Sequence, residues 1–345
     1  MHTRFDPDAA AAPDSGIFGL SCTREASEVL LVPVPFDATT SYRRGAAQGP
    51  AAILAASRQV DLFDLQTGRP YERGICLLDA DPEVARANER CAALARPIIA
   101  KGGATDDDRD ALAAIEADMQ AMNRSVQRAV AGILAEGKLP GVVGGDHSVP
   151  FGAIVAASER HPGLGILHVD AHADLRPAFE GFRYSHASIM ANVLAEAPGV
   201  ARIVQVGVRD FGEGELRAIE ASGGRVVTHF DLHWQRRLAE GERLRDLIDE
   251  AIAALPGDVW VSFDIDGLDP ALCRNTGTPV PGGLSFPAAC LLLARLVESG
   301  RRIVGFDLDE VAPGPGGPGD QADEWDANVG ARMLYKLCGF ALLTR

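Results

Sequence analysis

From residue 142 onward, short apolar runs alternate with longer stretches of helical spacing. The runs fall at 142–143, Leu164–Val169, 202–208, 226–227, 259–263 and 302–306. Helical patterns follow at 149–159, 187–196, Glu213–Ala221, 243–255, Phe286–Glu298 and 326–342. A strand joined to the next by a helical crossover must pair with it in parallel, and such strands are buried on both faces. The spacing therefore predicts an α/β chain: a three-layer αβα arrangement around a doubly wound, mostly parallel sheet. No internal repeat or linker interrupts it. Residues 27–345 are expected to form a single catalytic domain behind an N-terminal arm, 1–26, disordered at its start.

The region before this alternation is less regular. A strand is expected at 29–34, a helix at 51–58 with Pro50 near its first turn, and a second strand at 60–65. Residues 79–105 carry Asp81-Pro82, Arg96-Pro97 and Gly102-Gly103, all breakers, and yield no regular element. Thr105 with Asp108 reads as a capping box opening a long helix to Glu136. Its apolar positions (Leu112, Ile115, Met119, Met122, Val126, Val130, Ile133) step by three and four, so its methionines are core.

Three of the apolar runs end in chemistry. Leu164–Val169 leads into Asp170-Ala171-His172-Ala173-Asp174. Val142-Val143 leads into Gly144-Gly145-Asp146-His147-Ser148, and Val259-Trp260-Val261 into Ser262-Phe263-Asp264-Ile265-Asp266. One such segment alone reads equally well as a polar loop with a helix cap. Three at the carboxyl ends of parallel strands converge on the sheet edge where open α/β folds place their sites. The pooled candidates are His147, Asp170, His172, Asp174, Asp264 and Asp266: four carboxylates and two imidazoles. So many carboxylates repel one another unless protonated or neutralised by metal. Two divalent cations balance them, and an oxygen-rich donor set with one His per ion suits Mn²⁺ better than Zn²⁺. Ni²⁺, Co²⁺ and Fe²⁺ are the alternatives. Paired ions of this kind deprotonate water, so the reaction class is metal-assisted hydrolysis.

Composition removes other classes. The net charge of −15 argues against nucleic acid as a partner. No run is long enough to span a membrane and the first residues lack an apolar signal core. Six cysteines without paired spacing read as reduced thiols of a cytoplasmic protein. No glycine-rich phosphate loop follows the first strand, which argues against a nucleotide-binding protein.

The three segments, the last extending through Gly267-Leu268-Asp269-Pro270, resemble the signatures of the ureohydrolases, the family of arginase and agmatinase. Pro35-Phe36-Asp37 and Gly49-Pro50-Ala51-Ala52-Ile53 resemble its N-terminal segment. The resemblance implies two Mn²⁺ per subunit. His147 and Asp174 would hold one ion, His172 and Asp266 the other, and Asp170 and Asp264 would bridge them. It further implies attack of a metal-activated water on a guanidinium carbon, with Asp174 moving the proton and His186 shuttling one. Glu310, ending Gly305-Phe306-Asp307-Leu308-Asp309-Glu310, would pair with the substrate guanidinium. Asp146 and Asp269 would hold turns, and His161, His168, His229 and His233 are left as non-ligands. A homotrimer or homohexamer is implied as well.

The stretch 174–187 is similar to agmatinases rather than arginases, which points to agmatine as the small cationic guanidino substrate. Arg176 is weighed for pairing with a substrate carboxylate, as in 4-guanidinobutanoate, against an internal pair with Glu180. The Pro/Gly-rich segment 313–320 and the long 79–117 stretch are expected to reshape the pocket mouth, which keeps a small substrate such as guanidine open; 3-guanidinopropanoate and arginine are further alternatives. A non-catalytic metal-binding family member would have lost a ligand, and all six are present.

Overall fold

The computed structural model describes residues 6–319 and 323–345. Its strands are β1 (Val29–Pro33), β2 (Ile75–Leu77), β3 (Leu139–Val143), β4 (Leu164–Val169), β5 (Val200–Val206), β6 (Val226–His229), β7 (Asp258–Asp264) and β8 (Arg302–Asp309). They form one sheet in the order β2-β1-β3-β8-β7-β4-β5-β6, and every neighbouring pair is parallel. The α-helices among the described residues are α1 (Gly49–Ser57), α2 (Pro82–Ala100), α3 (Arg109–Ala135), α4 (Phe151–Arg160), α5 (Ile189–Glu196), α6 (Glu213–Ala221), α7 (Asp231–Ala239), α8 (Leu244–Ala253), α9 (Phe286–Glu298) and α10 (Trp325–Leu343).

Alternate strand residues serve opposite layers. Leu30 and Val32 pack with α2, α3, α4 and α5 through Val84, Ile115, Ile154 and Val193. Val29 and Leu31 pack with α1, α8, α9 and α10 through Ile53, Leu247, Leu292 and Leu334. Both faces are thus covered, which is why the strands read as continuous apolar runs. No helix among the described residues is long and apolar enough to cross a membrane.

Four differences from expectation have physical causes. Residues 60–65 are not a strand: Asp64 and Gly68 close a tight turn, with Asp64 Oδ1 accepting from the Gln66 and Thr67 amides. The strand beside β1 is Ile75–Leu77 instead. In the 79–105 stretch, Asp81-Pro82 begins α2 rather than preventing a helix. Asp81 accepts from the Glu83 amide and Pro82 stands in the first turn, where its missing N–H costs nothing. The buried stripe Val84, Ala87, Cys91, Ala95, Ile98 is mostly small residues and so carried little signal. The polar stretch after β6 holds α7. The arm is not all outside the domain: Ile17, Phe18 and Leu20 are buried, and the Phe18 ring meets Tyr335 edge-on at 4.8 Å. Residues 1–5, the expected disordered start, and Asp320 of the Pro/Gly-rich segment lie outside the described residues.

Strand order places the chemistry. The chain builds β3 beside β1 and then crosses to β4, leaving a gap that β7 and β8 later fill. The central four strands, β3-β8-β7-β4, are those whose carboxyl ends carry His147, Glu310, Asp264 and Asp170.

Candidate metal centre

Two glycines let β3 deliver His147. A Cβ at Gly144 would lie 1.5 Å from Asp309 Oδ1, and one at Gly145 1.8 Å from the Phe36 carbonyl oxygen. Only bare backbone fits between β8 and the 34–37 segment. Behind that turn, His147 Nδ1 lies 2.9 Å from Asp170 Oδ2, 3.3 Å from Asp174 Oδ2 and 3.4 Å from Asp264 Oδ2. On the other side His172 Nδ1 lies 3.3 Å from Asp170 Oδ1 and 3.2 Å from Asp266 Oδ2. All six sequence candidates therefore meet, and Asp170 offers one oxygen to each imidazole. Asp266 is tied in by its Oδ1, which accepts from the Ala171 amide at 3.0 Å, and its own amide donates to Asp264 Oδ1 at 2.8 Å.

The tautomer of His147 follows from its neighbours. The Ser262 hydroxyl donates to Asp307 Oδ1 at 2.8 Å, so its oxygen accepts from His147 Nε2–H at 2.9 Å. Asp307 is fixed in turn by the Phe263 amide and the Trp260 indole N–H. Nδ1 is then the atom presented to the carboxylates, the arrangement in which an imidazole can bind a cation.

Charge is crowded here. Burial raises Asp174 to about 6, with Asp170 adding to it. Burial, then Asp266 and Asp170, lift Asp264 well above the carboxylate range. Burial alone would raise Asp170 too, but His168, His147 and His172 hold it well below. Burial disfavours charge on His147, yet hydrogen bonds to Asp170, Asp174 and Asp264 raise it well above 6.5. Asp266 Oδ2 is buried and accepts no hydrogen bond. A cluster of acids that must share protons, with an oxygen left open, fits divalent cations.

Glu310 stands beside the His/Asp cluster. Its Oε1 accepts from the His147 amide at 3.0 Å, and its own amide donates to the Gly145 carbonyl at 2.8 Å. Its Oε2 is buried without a partner. A Cβ at Gly277 would lie 3.4 Å from that oxygen. Glu310 (φ 61°) and Asp174 (φ 54°) both adopt the left-handed conformation that non-glycine residues avoid.

A cleft of about 500 Å³, lined by Tyr42, Arg43, His172, Asp210, Thr278, Pro279 and Val280, opens onto the cluster at His172. The Arg43 guanidinium donates to the Arg274 carbonyl at 3.2 Å. The Asp210 amide donates to the Ala171 carbonyl at 3.1 Å, which fixes it beside the ligand strand end. His186 sits near His172 and Asp170, its ring edge-on to Phe179; burial and then His172 lower it to about 4.

Arg176 does not meet Glu180. Its Nε lies 3.4 Å from Glu215 Oε2 and its guanidinium covers the Phe179 ring at 4.7 Å. Asp146 and Asp269 hold turns, accepting from the Ser148 and Ala271 amides. Sequence reading missed Asp307 and Asp309 as buried partners of the site; the alternation of acids in Asp307-Leu308-Asp309-Glu310 was the available signal. Asp309 is driven well above its usual range, first by burial and then by Asp307.

Comparison with known proteins agrees. The sequence model of the arginase family matches residues 27–339. The chain belongs to the arginase family. It is 36% identical over 290 residues to N(1)-aminopropylagmatine ureohydrolase of Thermus thermophilus, covering 84% of each chain. It is 31% identical to mitochondrial agmatinase of Gallus gallus, covering 91% of this chain and 81% of that one. Among solved structures, proclavaminate amidino hydrolase of Streptomyces clavuligerus superposes with a TM-score of 0.71 at 26% identity, over 98% of this chain and 100% of that one. The arginase-family reading therefore covers fold and ureohydrolase chemistry together.

Proposed function

We propose that this chain hydrolyses the guanidino group of a small cationic substrate to urea and an amine, with agmatine, giving putrescine, as the first choice. The observation that carries this is the buried, unpartnered Oε2 of Glu310 beside the His/Asp cluster. A carboxylate held there by the His147 amide matches a guanidinium, which needs an anion to fix it and a nucleophile aimed at its carbon.

In this reading His147 and Asp174 would hold one ion, His172 and Asp266 the other, and Asp170 and Asp264 would serve both. Mn²⁺ would suit this donor set, with Ni²⁺ or Co²⁺ as alternatives, and the ions would supply a water deprotonated near neutral pH. Glu310 orients the guanidinium. Asp174, beside His147, takes the proton and returns it to the leaving amine. His186, neutral at pH 7 because its pKa is lowered to about 4, relays protons toward solvent.

The cleft offers one acid to an amine tail. Asp210 stands on its wall; Arg43 stands there too and keeps its charge, but its guanidinium is directed to the Arg274 carbonyl, and Arg176 is engaged by Glu215. The tail of agmatine is cationic, and so is that of N1-aminopropylagmatine, the substrate named for the Thermus relative. Six free cysteines suit a reducing compartment, the cytoplasm, and the family resemblance adds a homotrimer or homohexamer.

The test is urea release by Mn²⁺-loaded and Ni²⁺-loaded protein from agmatine, N1-aminopropylagmatine, arginine, 4-guanidinobutanoate, 3-guanidinopropanoate and guanidine. The amine-tailed compounds should exceed the acids in kcat/KM by at least about tenfold, the value of one lost charge pair. Equal turnover of arginine and agmatine, or preference for an acid, would reject the substrate.

A further inference from the structure

Asp307 on β8, Ser262 on β7, His168 on β4, Gln205 on β5 and Thr228 on β6 are successive register partners across the sheet. Register partners on parallel strands point to the same face, so five polar side chains form one row just beneath the strand ends. Asp307, Ser262, His168 and Gln205 are fully buried. One end of this row sets the tautomer of His147 through Ser262. The other end bears on Asp170, through a histidine that sequence reading had set aside.

The hydrogen bonds fix which atom does what. The Thr228 hydroxyl donates to Gln205 Oε1 at 2.7 Å, and Gln205 Nε2 lies 2.7 Å from the Ala173 carbonyl oxygen. A carbonyl can only accept, so the amide nitrogen must face it. The same nitrogen lies 2.9 Å from His168 Nδ1, which therefore accepts. A neutral imidazole that accepts at Nδ1 carries its proton on Nε2, and Nε2 lies 2.9 Å from Asp170 Oδ2. His168 falls in the same four-residue group as His147, Asp170 and Asp174 that could surround an ion. In this tautomer its one lone pair, on Nδ1, is taken by the Gln205 amide.

We propose that His168 is a positioning residue, an Nε2–H donor that locks the Asp170 carboxylate, and not a third imidazole ligand. This rests on the reading that the cluster holds two divalent ions. In that reading Asp170 is one of the two acids shared between them, so its rotation would disturb both. Its Oδ1 is already held by the His172 amide at 2.6 Å; His168 Nε2 holds Oδ2 at 2.9 Å, the oxygen that also faces His147 Nδ1.

The variants His168→Gln and His168→Leu separate the roles. A glutamine whose amide nitrogen donates to Asp170 as Nε2 does turns its carbonyl oxygen to the Gln205 amide, in the place of Nδ1, and so keeps both hydrogen bonds with no donor atom left for Mn²⁺; leucine neither donates nor binds. Mn²⁺ binding would be titrated on the full chain by equilibrium dialysis, with the electron paramagnetic resonance spectrum of the bound pair recorded and the metal-free melting temperatures compared. His168→Gln should keep two ions, the unmodified spectrum and an affinity within a few-fold. His168→Leu should bind about 10- to 100-fold more weakly, the usual effect of losing a hydrogen-bond partner behind a ligand. If His168→Gln loses ions as fully as His168→Leu, the residue is a ligand and the proposal is wrong. If both variants bind as the unmodified chain does, His168 is mere packing and the proposal is equally wrong. Failure of the unmodified chain to take up two ions would overturn the metal reading beneath it, and the two failures are told apart by that control.

Discussion

Glu310 concentrates what one residue can decide. Its backbone is strained, its first oxygen is occupied by the His147 amide, and its second is open in a buried setting. Strain of this kind costs about 1–3 kcal/mol and persists where surrounding structure over-determines it. Here that structure is the pair of bonds to Gly145 and His147. Glu310→Gln keeps the shape and removes the charge that would meet a guanidinium. It should lower kcat/KM for agmatine by about 100- to 1,000-fold, as loss of one preorganised electrostatic partner does. Two bound ions should remain by metal analysis. Unchanged kinetics would place the guanidinium elsewhere. At this scale the six metal candidates were legible, because each falls in a short motif after an apolar run. Glu310 was legible only through family resemblance. Arg176 was visible, but its partner was not: Glu215 is 39 positions away, on α6, and no local pattern links them.

Among the elements, the segment 271–278 beside Glu310 depends on the start of α10. Asp326 accepts from the Asn275 amide at 2.6 Å, and the Trp325 indole donates to the Ala271 carbonyl at 2.9 Å. The start of α10 thus bears on the segment that ends at Thr278 in the cleft wall. Burial raises the Asp326 carboxyl to about 6 from 3.8, against the Asn275 amide, which lowers it. An acid with a raised folded pKa holds its proton more tightly when folded. Its contribution to stability is complete below about pH 4 and is lost as pH rises through about 6. Asp326→Asn removes that titration. The melting temperature of the unmodified chain should therefore fall relative to Asp326→Asn between about pH 4 and pH 7, and parallel curves would show the group to be unperturbed. The long helix α3 with its Thr105–Asp108 capping box was readable from spacing alone. Its neighbour α2 was not, because alanine carries little hydrophobic contrast and Asp-Pro serves equally as a breaker and as a helix start.

For the whole molecule, the dominant fact is that eight acids are buried around one sheet edge: Asp146, Asp170, Asp174, Asp264, Asp266, Asp307, Asp309 and Glu310. Divalent ions that bind only the folded chain stabilise it by mass action. Chelation should lower the melting temperature, and readdition of Mn²⁺ should raise it with concentration, by about 2.7 kcal/mol of stability at a hundred times Kd. A melting temperature indifferent to both treatments would mean the acids are accommodated by protons alone.

What the sequence determined by itself is what its periodicity and short motifs encode. Strand-helix alternation dictated a parallel three-layer fold, and acids and imidazoles at three strand ends dictated the His/Asp cluster. The tertiary structure alone decided what depends on register between distant strands. The row from Asp307 to Thr228 exists because five residues, one from each of five strands, share one level of the sheet. His168 sits inside an apolar run and looks like a core histidine until Gln205 and Asp170 stand on either side of it. Such pairings follow from how strands align across the sheet, and that alignment is set by packing on both faces rather than by any local spacing.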